Sequence, residues 1–540
     1  MAVGIRRSLT DIQADYDAGT RTELENLMRA WEGIKELDAS DPNSFFKIGG
    51  FHGEPFRGPG QTDGAWWGGY CQHGTVLFPT WHRAYLWRLE LALQSIPGCE
   101  NVRLPFWDEC SAESRANGIP HALTDEFFEL DGVMIDNPLR SFKLPIPIVD
   151  QVAQDNVPTD LNRPNYSKNA EYETVRYPLS GLVGTPAYRQ ATAAHNAKFP
   201  NYAENVKLLN ENIVAWLNTE VTTGGKTRGL VYDAFVSCLD APNYTVFSNT
   251  TSQRRWTSTH PGSTIKSLEY PHNYIHLAVG GFDIPAYDAS PIDGANGDMG
   301  ENDTAGLDPI FYFHHCFIDY VFWIWQRRHG ATYGFTIDVN DPGAAYIANI
   351  NANNQPPADA VLGAPLTMNT ALDPFTYDDG SDMPMVSNDV VHIEEQLGYT
   401  YGPGSLDAFA IGVDAAEAEM VAAESEAMER TIHVGGLDRS KIAGSFLIVA
   451  YAETDGGQEL VGIEPVLSRW NVGGCANCQT RLKTTADFPI AADLAESGAV
   501  KVLVHTRQGV LGDAPRAVAS AGLVLGGPRR HDTPFTVEIR

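Results

Sequence analysis

The sequence lacks the features that would place it in a membrane or in an oxidising compartment. Its N-terminus, MAVGIRRSLTDIQADYDAG, has no apolar segment of the kind found in signal peptides. No run of about 18 apolar residues predicts a transmembrane helix. Seven cysteines in 540 residues are an odd and sparse set, which is not typical of a disulfide framework. We therefore expect a cytoplasmic protein with no membrane partner, and leave unconventional secretion or cell-wall association open.

Basic residues are also scarce. Lys and Arg total 38 against 68 for Asp and Glu, so the formal net charge is -30. Such a surface repels nucleic acid and anionic membranes, and favours a small neutral or cationic substrate over a polyanion. The remaining composition, 43% hydrophobic and 20% charged, is that of an ordinary globular protein. The length is sufficient for a large core and a second module.

The chain divides into three parts. Helical periodicity recurs in the first, residues 1–404, which predicts a mainly α domain with long loops. These helical segments are Arg21–Glu36, Ala84–Ser95, Ala203–Thr219 and Phe311–Arg328. Residues 405–430 are small and acidic and predict a linker open to proteolysis. Short β-type runs separated by glycine-rich turns predict a β-sandwich over 431–540.

Three histidines lie close together early in the chain. His52, His73 and His82 fall within 31 residues, in segments rich in Trp and Phe. A single histidine in an apolar segment is usually a core residue with a satisfied hydrogen bond. A group of three favours a metal site, because neutral imidazole is the commonest metal ligand. A zinc finger needs cysteine pairs, which this region lacks.

A second group of histidines lies further along. His272 and His276 are four residues apart, a spacing that puts both rings on one face of a helix. Many helices show this spacing by chance. His314 and His315 follow in an apolar segment that predicts a buried helix. From the chemistry of these residues alone, either of the last two could be a metal ligand.

The two groups resemble the copper signatures of tyrosinases, catechol oxidases and molluscan haemocyanins. The first signature is matched at His73, Phe78, Trp81, His82, Arg83, Leu86 and Glu90, with Leu-Pro-Phe-Trp-Asp following at 104–108. The second is matched at Asp308, Pro309, Phe311, Tyr312, His315 and Asp319. In this pattern His315 is the ligand and His314 its neighbour. The whole layout resembles most the fungal pro-tyrosinases, which carry a C-terminal lid domain.

The resemblance implies a fold, a cofactor and a set of ligands. The fold is a four-helix bundle that holds a dinuclear type-3 copper site, followed by a C-terminal β-sandwich. The implied cofactors are two copper ions, with O2 as co-substrate. Copper A would be bound by His52, His73 and His82, and copper B by His272, His276 and His315. Arg6 or Arg7, with Tyr399-Thr-Tyr401-Gly402, resembles the elements that close the catalytic domain.

Residues beside the ligands also match the family. The resemblance implies a thioether between Cys71 and His73, where a buried free thiol is the simpler alternative. Glu269 and Asn273 match the pair thought to hold a water that deprotonates a phenol. The alternative for Glu269 is a carboxylate that caps the ligand helix. Two further residues are expected to border the substrate pocket, Asn302 and Leu277.

The C-terminal region carries a C-x-x-C motif, Cys475 and Cys478. As a redox pair or half a zinc site it has little support, because no second motif and no βαβ pattern accompanies it. Soft thiolates suit Cu(I), and the resemblance implies copper loading. It also implies a zymogen in which one apolar side chain fills the active site. The candidates are Val466, Leu467 and Trp470.

The resemblance predicts a pro-tyrosinase that hydroxylates monophenols and oxidises o-diphenols to o-quinones for a melanin-type pigment. Expected partners are small phenolic substrates, an activating protease and further copies of the chain in a dimer or tetramer. One alternative is a catechol or o-aminophenol oxidase without monophenolase activity. A haemocyanin-like O2 carrier is the other, although such carriers are usually tandem arrays of similar units.

Overall fold

The structure is a computed structural model. It describes residues 3–53, 69–149, 167–181, 186–223, 226–260, 263–283, 297–345, 364–377, 381–411, 429–454, 457–470, 472, 478, 481–497, 499–507, 509–511, 516–517 and 535–540. Cys475 and most of the predicted linker, 412–428, lie outside these residues.

The helices of the described residues are concentrated before residue 330. They are α1 Leu9–Asp17, α2 Thr22–Glu36, α3 Phe45–Gly50, α4 Phe78–Gln94, α5 Ala112–Asn117, α6 Pro186–Asn196, α7 Tyr202–Asn218, α8 Tyr232–Leu239, α9 Tyr244–Ser248, α10 Thr250–Thr259, α11 Glu269–Gly280, α12 Ile310–Arg328 and α13 Ala492–Ser497.

The strands of the described residues are short in the helical region and longer towards the C-terminus. They are β1 Gly4–Arg6, β2 Phe127–Leu130, β3 Val133–Asp136, β4 Ile148–Val149, β5 Ser167–Lys168, β6 Glu220–Thr223, β7 Lys226–Gly229, β8 Ala371–Thr376, β9 Pro384–Val386, β10 Tyr399–Tyr401, β11 Glu429–Asp438, β12 Phe446–Thr454, β13 Gly457–Val466, β14 Lys483–Ala491, β15 Ala499–Thr506, β16 Gly509–Leu511, β17 Arg516–Ala517 and β18 Thr536–Ile539.

Helices α2, α4, α11 and α12 form the centre of the helical region. Helix α12 packs against α4 and α11, and α4 packs against α2. Every residue of α12 from Ile310 to Gln326 is buried, because the segment is apolar on all faces and other elements surround it. The expected helical core that holds the candidate site is therefore confirmed.

Helix α4 begins six residues earlier than the periodicity predicted, at Phe78 instead of Ala84. Pro79 lies in its first turn, where the missing N–H of proline costs no hydrogen bond and its fixed φ suits a helix. The early start matters for the site, because it places His82 on the helix itself.

The described residues of the C-terminal β domain, 429–540, form two sheets. One has the order β14-β11-β18, and the other the order β13-β12-β15-β16, with β17 also paired to β15. Side chains of β14 alternate between buried and partly exposed, as a strand with one covered face requires. Ile432, Phe446 and Val504 belong to the apolar cluster between the sheets. This matches the predicted β-sandwich, and β11 begins inside the acidic segment that we predicted as linker.

The two ends of the helical region meet at the pair β1 and β10, which run parallel. Of the two arginines that the sequence offered as a closing element, Arg6 fills this place. It is fully buried, donates to Glu90 at 2.9 Å and lies over the ring of Tyr399. Arg7 instead forms exposed ion pairs with Asp15 and Glu23. The closing elements therefore join the first strand to helix α4.

Residues 405–411 pack on the helical region. Ser405 donates to Asp108 through both its backbone N–H and its hydroxyl, and Leu406 is fully buried. This part of the predicted linker is therefore held in place. Among the described residues, we find no helix with the length and apolar character needed to cross a membrane.

Candidate metal centre

Six histidines meet where four helices and two loops come together. Helix α4 carries His82, and α11 carries His272 and His276 one turn apart. Helix α12 carries His315. His52 follows α3, and His73 precedes α4. All six predicted ligands therefore lie in one region of the fold, and five of them are buried to 98% or more, the exception being His73.

Three ring nitrogens converge on one point between α11 and α12. The Nε2 atoms of His272 and His276 each lie 3.2 Å from Nε2 of His315. Three imidazoles aimed at the same point are what a three-coordinate metal site requires. His315, which the signature selects as a ligand, therefore has its Nε2 atom close to those of both histidines of α11.

The other three histidines form a second group beside the first. The ring centroids of His52, His73 and His82 lie 5.2 to 5.7 Å apart. The Nε2 atoms of His52 and His82 are buried and have no hydrogen-bond partner among the described residues. The rings of His82 and His315 stack at 4.4 Å, so the two groups face each other. Buried nitrogens of this kind fit a second metal ion.

Backbone carbonyls set the tautomer of three of these rings. A carbonyl accepts only from a protonated nitrogen, so Nδ1 carries the hydrogen and Nε2 keeps its lone pair for a metal. The pairs are His52 with the carbonyl of Asn302 at 3.2 Å, His82 with that of Phe78 at 2.8 Å, and His276 with that of Met299 at 2.8 Å.

Burial keeps the rings neutral. It lowers the pKa of His82 to about 3 and that of His276 to about 4, and the other four pKa values fall well below the usual value for histidine. Neighbouring histidines lower several of them further. Neutral imidazole is the form that binds a metal, and an all-imidazole donor set suits copper among other transition metals. The residues present therefore fit a pair of copper ions.

His314 has a different partner. Its Nδ1 lies 2.5 Å from the carboxyl of Glu109, and both side chains are fully buried. Burial raises the pKa of Glu109 well above its usual value and lowers that of His314. His314 lies in the same metal-sized group as His272, His276 and His315. Glu109 could not be recognised from the sequence, because it lies 205 positions from His314 and carries no motif of its own.

Glu269 connects three segments of the site. Its carboxylate accepts from the backbone N–H of Gly74 at 2.7 Å, and from the backbone N–H and hydroxyl of Thr250 at 2.9 and 3.0 Å. Burial raises its pKa, and these donors partly oppose the rise. Glu269 is the first residue of α11 and does not cap that helix. It lies instead at the N-terminus of α10, beside the segment that carries His73.

Asn273 lies between a ligand histidine and the C-terminal β domain. Its side-chain oxygen accepts from Nδ1 of His272 at 3.0 Å. Its side-chain nitrogen donates to the carbonyl of Pro465 at 3.5 Å. Asn273 is almost fully buried. Glu269 and Asn273, the two predicted water-holding residues, lie four positions apart on α11, a spacing that puts both side chains on one face of the helix.

The remaining predicted site residues are also buried. The sulfur of Cys71 is in no disulfide, and lies with ligand nitrogens of His52 and His73 in one group whose atoms are all within 4.8 Å of each other. Asn302 donates to that sulfur at 3.4 Å. Leu277 is fully buried in the main apolar core.

The C-terminal β domain covers the site. The hydroxyls of Tyr270 and Tyr274 on α11 donate to the carbonyl of Ile463 at 2.8 and 2.6 Å. Asn302 donates its backbone N–H to the carbonyl of Ser468 at 3.4 Å, and Arg254 pairs with Glu464. The covering segment is the end of β13 and the residues that follow it.

The three candidates for an apolar plug differ in where they pack. Val466 belongs to the apolar cluster between the two sheets of the C-terminal β domain. Leu467 and Trp470 belong to the cluster that is continuous with the helical core. Leu467 lies between Pro465 and Ser468, the two residues whose carbonyls contact the site. Packing therefore separates Val466 from the other two.

Cys478 is disulfide-bonded. A sulfur in a disulfide is not a thiolate, the form that binds a metal. Copper loading by Cys475 and Cys478 therefore requires the reduced form of the motif.

The fold and the two facing histidine groups define a protein with a paired copper centre of the type-3 kind. The domain described as the common central domain of tyrosinase matches residues 42–328. The chain belongs to the tyrosinase family, and it is a copper oxidase or monooxygenase.

Similar proteins are found in both bacteria and fungi. The tyrosinase HcTyr2 of Hahella sp. (strain CCB-MM4) is 47% identical, with 94% of this chain and 92% of that protein covered. A tyrosinase of Aspergillus oryzae is 40% identical, with 90% and 88% covered. A structure of the Burkholderia thailandensis tyrosinase at low pH has a TM-score of 0.78 at 45% identity, with 93% and 95% covered. Because these similar proteins come from both bacteria and fungi, the expected fungal origin is not confirmed.

Proposed function

We propose that the protein is a latent tyrosinase that hydroxylates monophenols at the ortho position and oxidises o-diphenols to o-quinones. His52, His73 and His82 hold one copper ion, and His272, His276 and His315 hold the other. A pair of copper ions held by these residues would supply the redox chemistry that activates O2. The observation that carries the proposal is the convergence of the Nε2 atoms of His272, His276 and His315, with a second group of histidines facing them.

The protein groups around the metals position the substrate and accept its proton. A carboxylate offers about four lone-pair sites, and Glu269 uses three of them on Gly74 and Thr250. The remaining site, with the side chain of Asn273, holds a water that takes the proton of an incoming phenol. This general-base step makes the phenolate that binds beside His272. It distinguishes a monophenolase from a catechol-only oxidase.

The C-terminal β domain keeps the enzyme latent. The side-chain nitrogen of Asn273, which holds the water, donates to Pro465 in the closed chain. We assign the apolar plug to Leu467, because it packs with the helical core and lies between Pro465 and Ser468. The backbone N–H of Trp470 donates to Asp303 at 2.8 Å, which ties that residue to the rim of the site. A protease that cuts within 412–428 then releases the active core.

A thioether joins Cys71 to His73 in the mature enzyme. A C–S bond forms, the sulfur and the ring carbon each lose one hydrogen, and the two electrons pass to O2, which becomes hydrogen peroxide. The buried sulfur, close to the rings of His52 and His73, supports this step. A peptide mass that is two hydrogens lower than the unmodified pair tests it. The bond restrains the rotation of an imidazole that carries copper.

Turnover before and after cleavage tests the main proposal. A recognition sequence for a specific protease is placed within 412–428, and the copper-loaded chain is assayed with L-tyrosine and L-DOPA. We expect quinone from both substrates only after cleavage. Quinone from L-DOPA alone would identify a catechol oxidase, and reversible O2 binding without quinone would identify a carrier. The o-quinones would then polymerise to a melanin-type pigment.

A further inference from the structure

The segment Met299–Asp303 orients one histidine of each metal group. The carbonyl of Met299 accepts from His276 at 2.8 Å, and the carbonyl of Asn302 accepts from His52 at 3.2 Å. The segment is also pressed against the backbone of the residue after His52. A side chain at Gly53 would collide with the carbonyl oxygens of Asn302 and Asp303. A shift of this segment would therefore turn two candidate copper ligands.

Two arginines of the C-terminal β domain bind the acidic side chains of this segment. Arg469 donates to Asp303 at 3.0 Å, and the other carboxylate oxygen of Asp303 accepts the backbone N–H of Trp470. Arg507 pairs with Glu301 and also donates to the carbonyl of Gly300 at 3.2 Å. Both arginines are about 98% buried. Arg469 in addition lies 3.4 Å from the carbonyl of His52 and from the sulfur of Cys71.

Because these ion pairs are buried, breaking one of them should disturb the surrounding structure. A buried carboxylate that loses its partner is left as an uncompensated charge, and this costs much more than the loss of an exposed pair. The nearest relief is for Glu301 or Asp303 to move towards solvent, which displaces the nearby carbonyls of Met299 and Asn302. The arginines therefore act on the histidines through the backbone of the segment.

We propose that Arg469 and Arg507 are positioning residues of the metal centre: they hold Met299–Asp303 so that its carbonyls fix the rings of His52 and His276. The C-terminal β domain then does more than close the site, because it also completes the support of the ligands. This inference rests on the ligand set proposed above. It implies that the closed chain retains copper more firmly than the cleaved core does.

Copper release from the full, uncleaved chain tests this role. Arg469→Met and Arg507→Met keep most of the buried volume and remove the guanidinium. Copper per chain is measured by elemental analysis, and its transfer to a chelator is followed over time. Loss of a group that supports a metal ligand typically weakens metal binding by roughly 10- to 100-fold. We expect faster release in that range for each variant, and a larger effect for the double variant.

The matched control is Glu464→Gln. Glu464 belongs to the same domain and pairs with Arg254 across the same interface, and among the described residues no hydrogen bond or ion pair joins it to Met299–Asp303. It should release copper at the rate of the unaltered chain. If the arginine variants release copper no faster than this control, the positioning role is wrong. If Arg469→Met fails to fold, Arg469→Gln carries the test, because glutamine keeps hydrogen-bond donors but removes the charge. A release rate equal to the control would again overturn the proposal.

A separate arm tests the ligand set on which the inference rests. His52→Ala and His276→Ala chains should each bind fewer copper ions than the unaltered chain. Full copper content in both would show that the ligand set is wrong, whatever the arginines do. Reduced copper in these variants, with unchanged release in the arginine variants, would leave the proposed function intact and overturn only the positioning role.

Discussion

The side chain of Asn273 donates to the backbone carbonyl of Pro465 at 3.5 Å, across the interface between helix α11 and the C-terminal β domain. The same side chain accepts from His272 on its other side. The residue that the proposed mechanism needs for monophenols is thus engaged by the covering domain. Its contribution can be measured only after that domain has been removed.

In the cleaved enzyme, Asn273→Ala should lower hydroxylation of L-tyrosine much more than oxidation of L-DOPA. General-base assistance contributes roughly 10²-fold or more to a rate, and a diphenol ionises with less help. Initial rates with both substrates check this. Tyr274→Phe is the control, because its hydroxyl contacts Ile463 of the covering domain and lies outside the proposed mechanism. Equal losses for both substrates in Asn273→Ala would contradict the water-holding role.

Substituting Leu467 should give the uncleaved chain activity towards L-DOPA. Leu467→Ala shortens the side chain that we assign as the plug, and it costs about 2–5 kcal/mol of packing. Val466→Ala also removes buried apolar atoms, but those atoms lie between the two sheets of the C-terminal β domain. It should lower the stability of that domain without opening the site. Activity of both uncleaved variants, or of neither, would contradict the assignment of Leu467 as the plug.

The neighbouring arginines at the start of the chain should differ strongly in their effect on stability. Arg6→Ala leaves Glu90 buried without this partner and removes the contact with Tyr399, so we expect a loss of about 3–5 kcal/mol in the free energy of unfolding. Arg7→Ala breaks only exposed pairs and should cost about 0–1 kcal/mol. Urea unfolding of the two variants gives the comparison. Similar losses would mean that burial does not decide the role of Arg6.

The pair of Glu109 and His314 should behave as a buried hydrogen bond. Glu109→Ala leaves Nδ1 of His314 without its hydrogen-bond partner, which should cost about 1–3 kcal/mol. Glu109→Gln keeps an oxygen in the same place and should cost less. Both values come from thermal or urea unfolding of the metal-free chain. A glutamine variant as unstable as the alanine variant would show that the carboxyl itself, and not an acceptor oxygen, is required.

The metal-free chain should lose stability as the pH falls below about 6.5, the value of an unfolded histidine. His276 has a pKa of about 4 when folded, so between these limits the unfolded chain binds more protons and stability rises with pH. One histidine contributes a slope of about 1.4 kcal/mol per pH unit in that window. In His276→Asn, the free energy of unfolding should therefore rise less steeply with pH in this window, and the difference in slope should equal this contribution. An unchanged slope would contradict the lowered pKa.

Local patterns in the sequence predicted part of this structure well. Helix α12 begins one residue before its predicted start, because an unbroken apolar segment identifies a buried helix. Helix α4 was predicted six residues short, since its first turn contains a proline and aromatic residues that do not show helical periodicity. The start of β11 was hidden in an acidic segment, because residues outside the strand determine its pairing with β14.

Contacts between distant parts of the chain could not be predicted. The signatures identified six of the histidines that the structure brings together, and His314 lies with them as well. They did not identify Glu109 beside His314, nor Arg469 beside Asp303, whose partners are 205 and 166 positions away. A single charged residue has no period and no spacing, so its partner becomes visible only when the fold is known.

The bond between Glu269 and the N–H of Gly74 spans 195 positions, and this has a consequence for how the protein is made. The segment that carries His73 gains this anchor only after helix α11 has been synthesised and has docked. Contacts between such distant segments form slowly, because a long loop must close before they can contribute. We therefore expect the copper A side of the site to become ordered late in folding, so that a cell must deliver metal to a nearly complete chain.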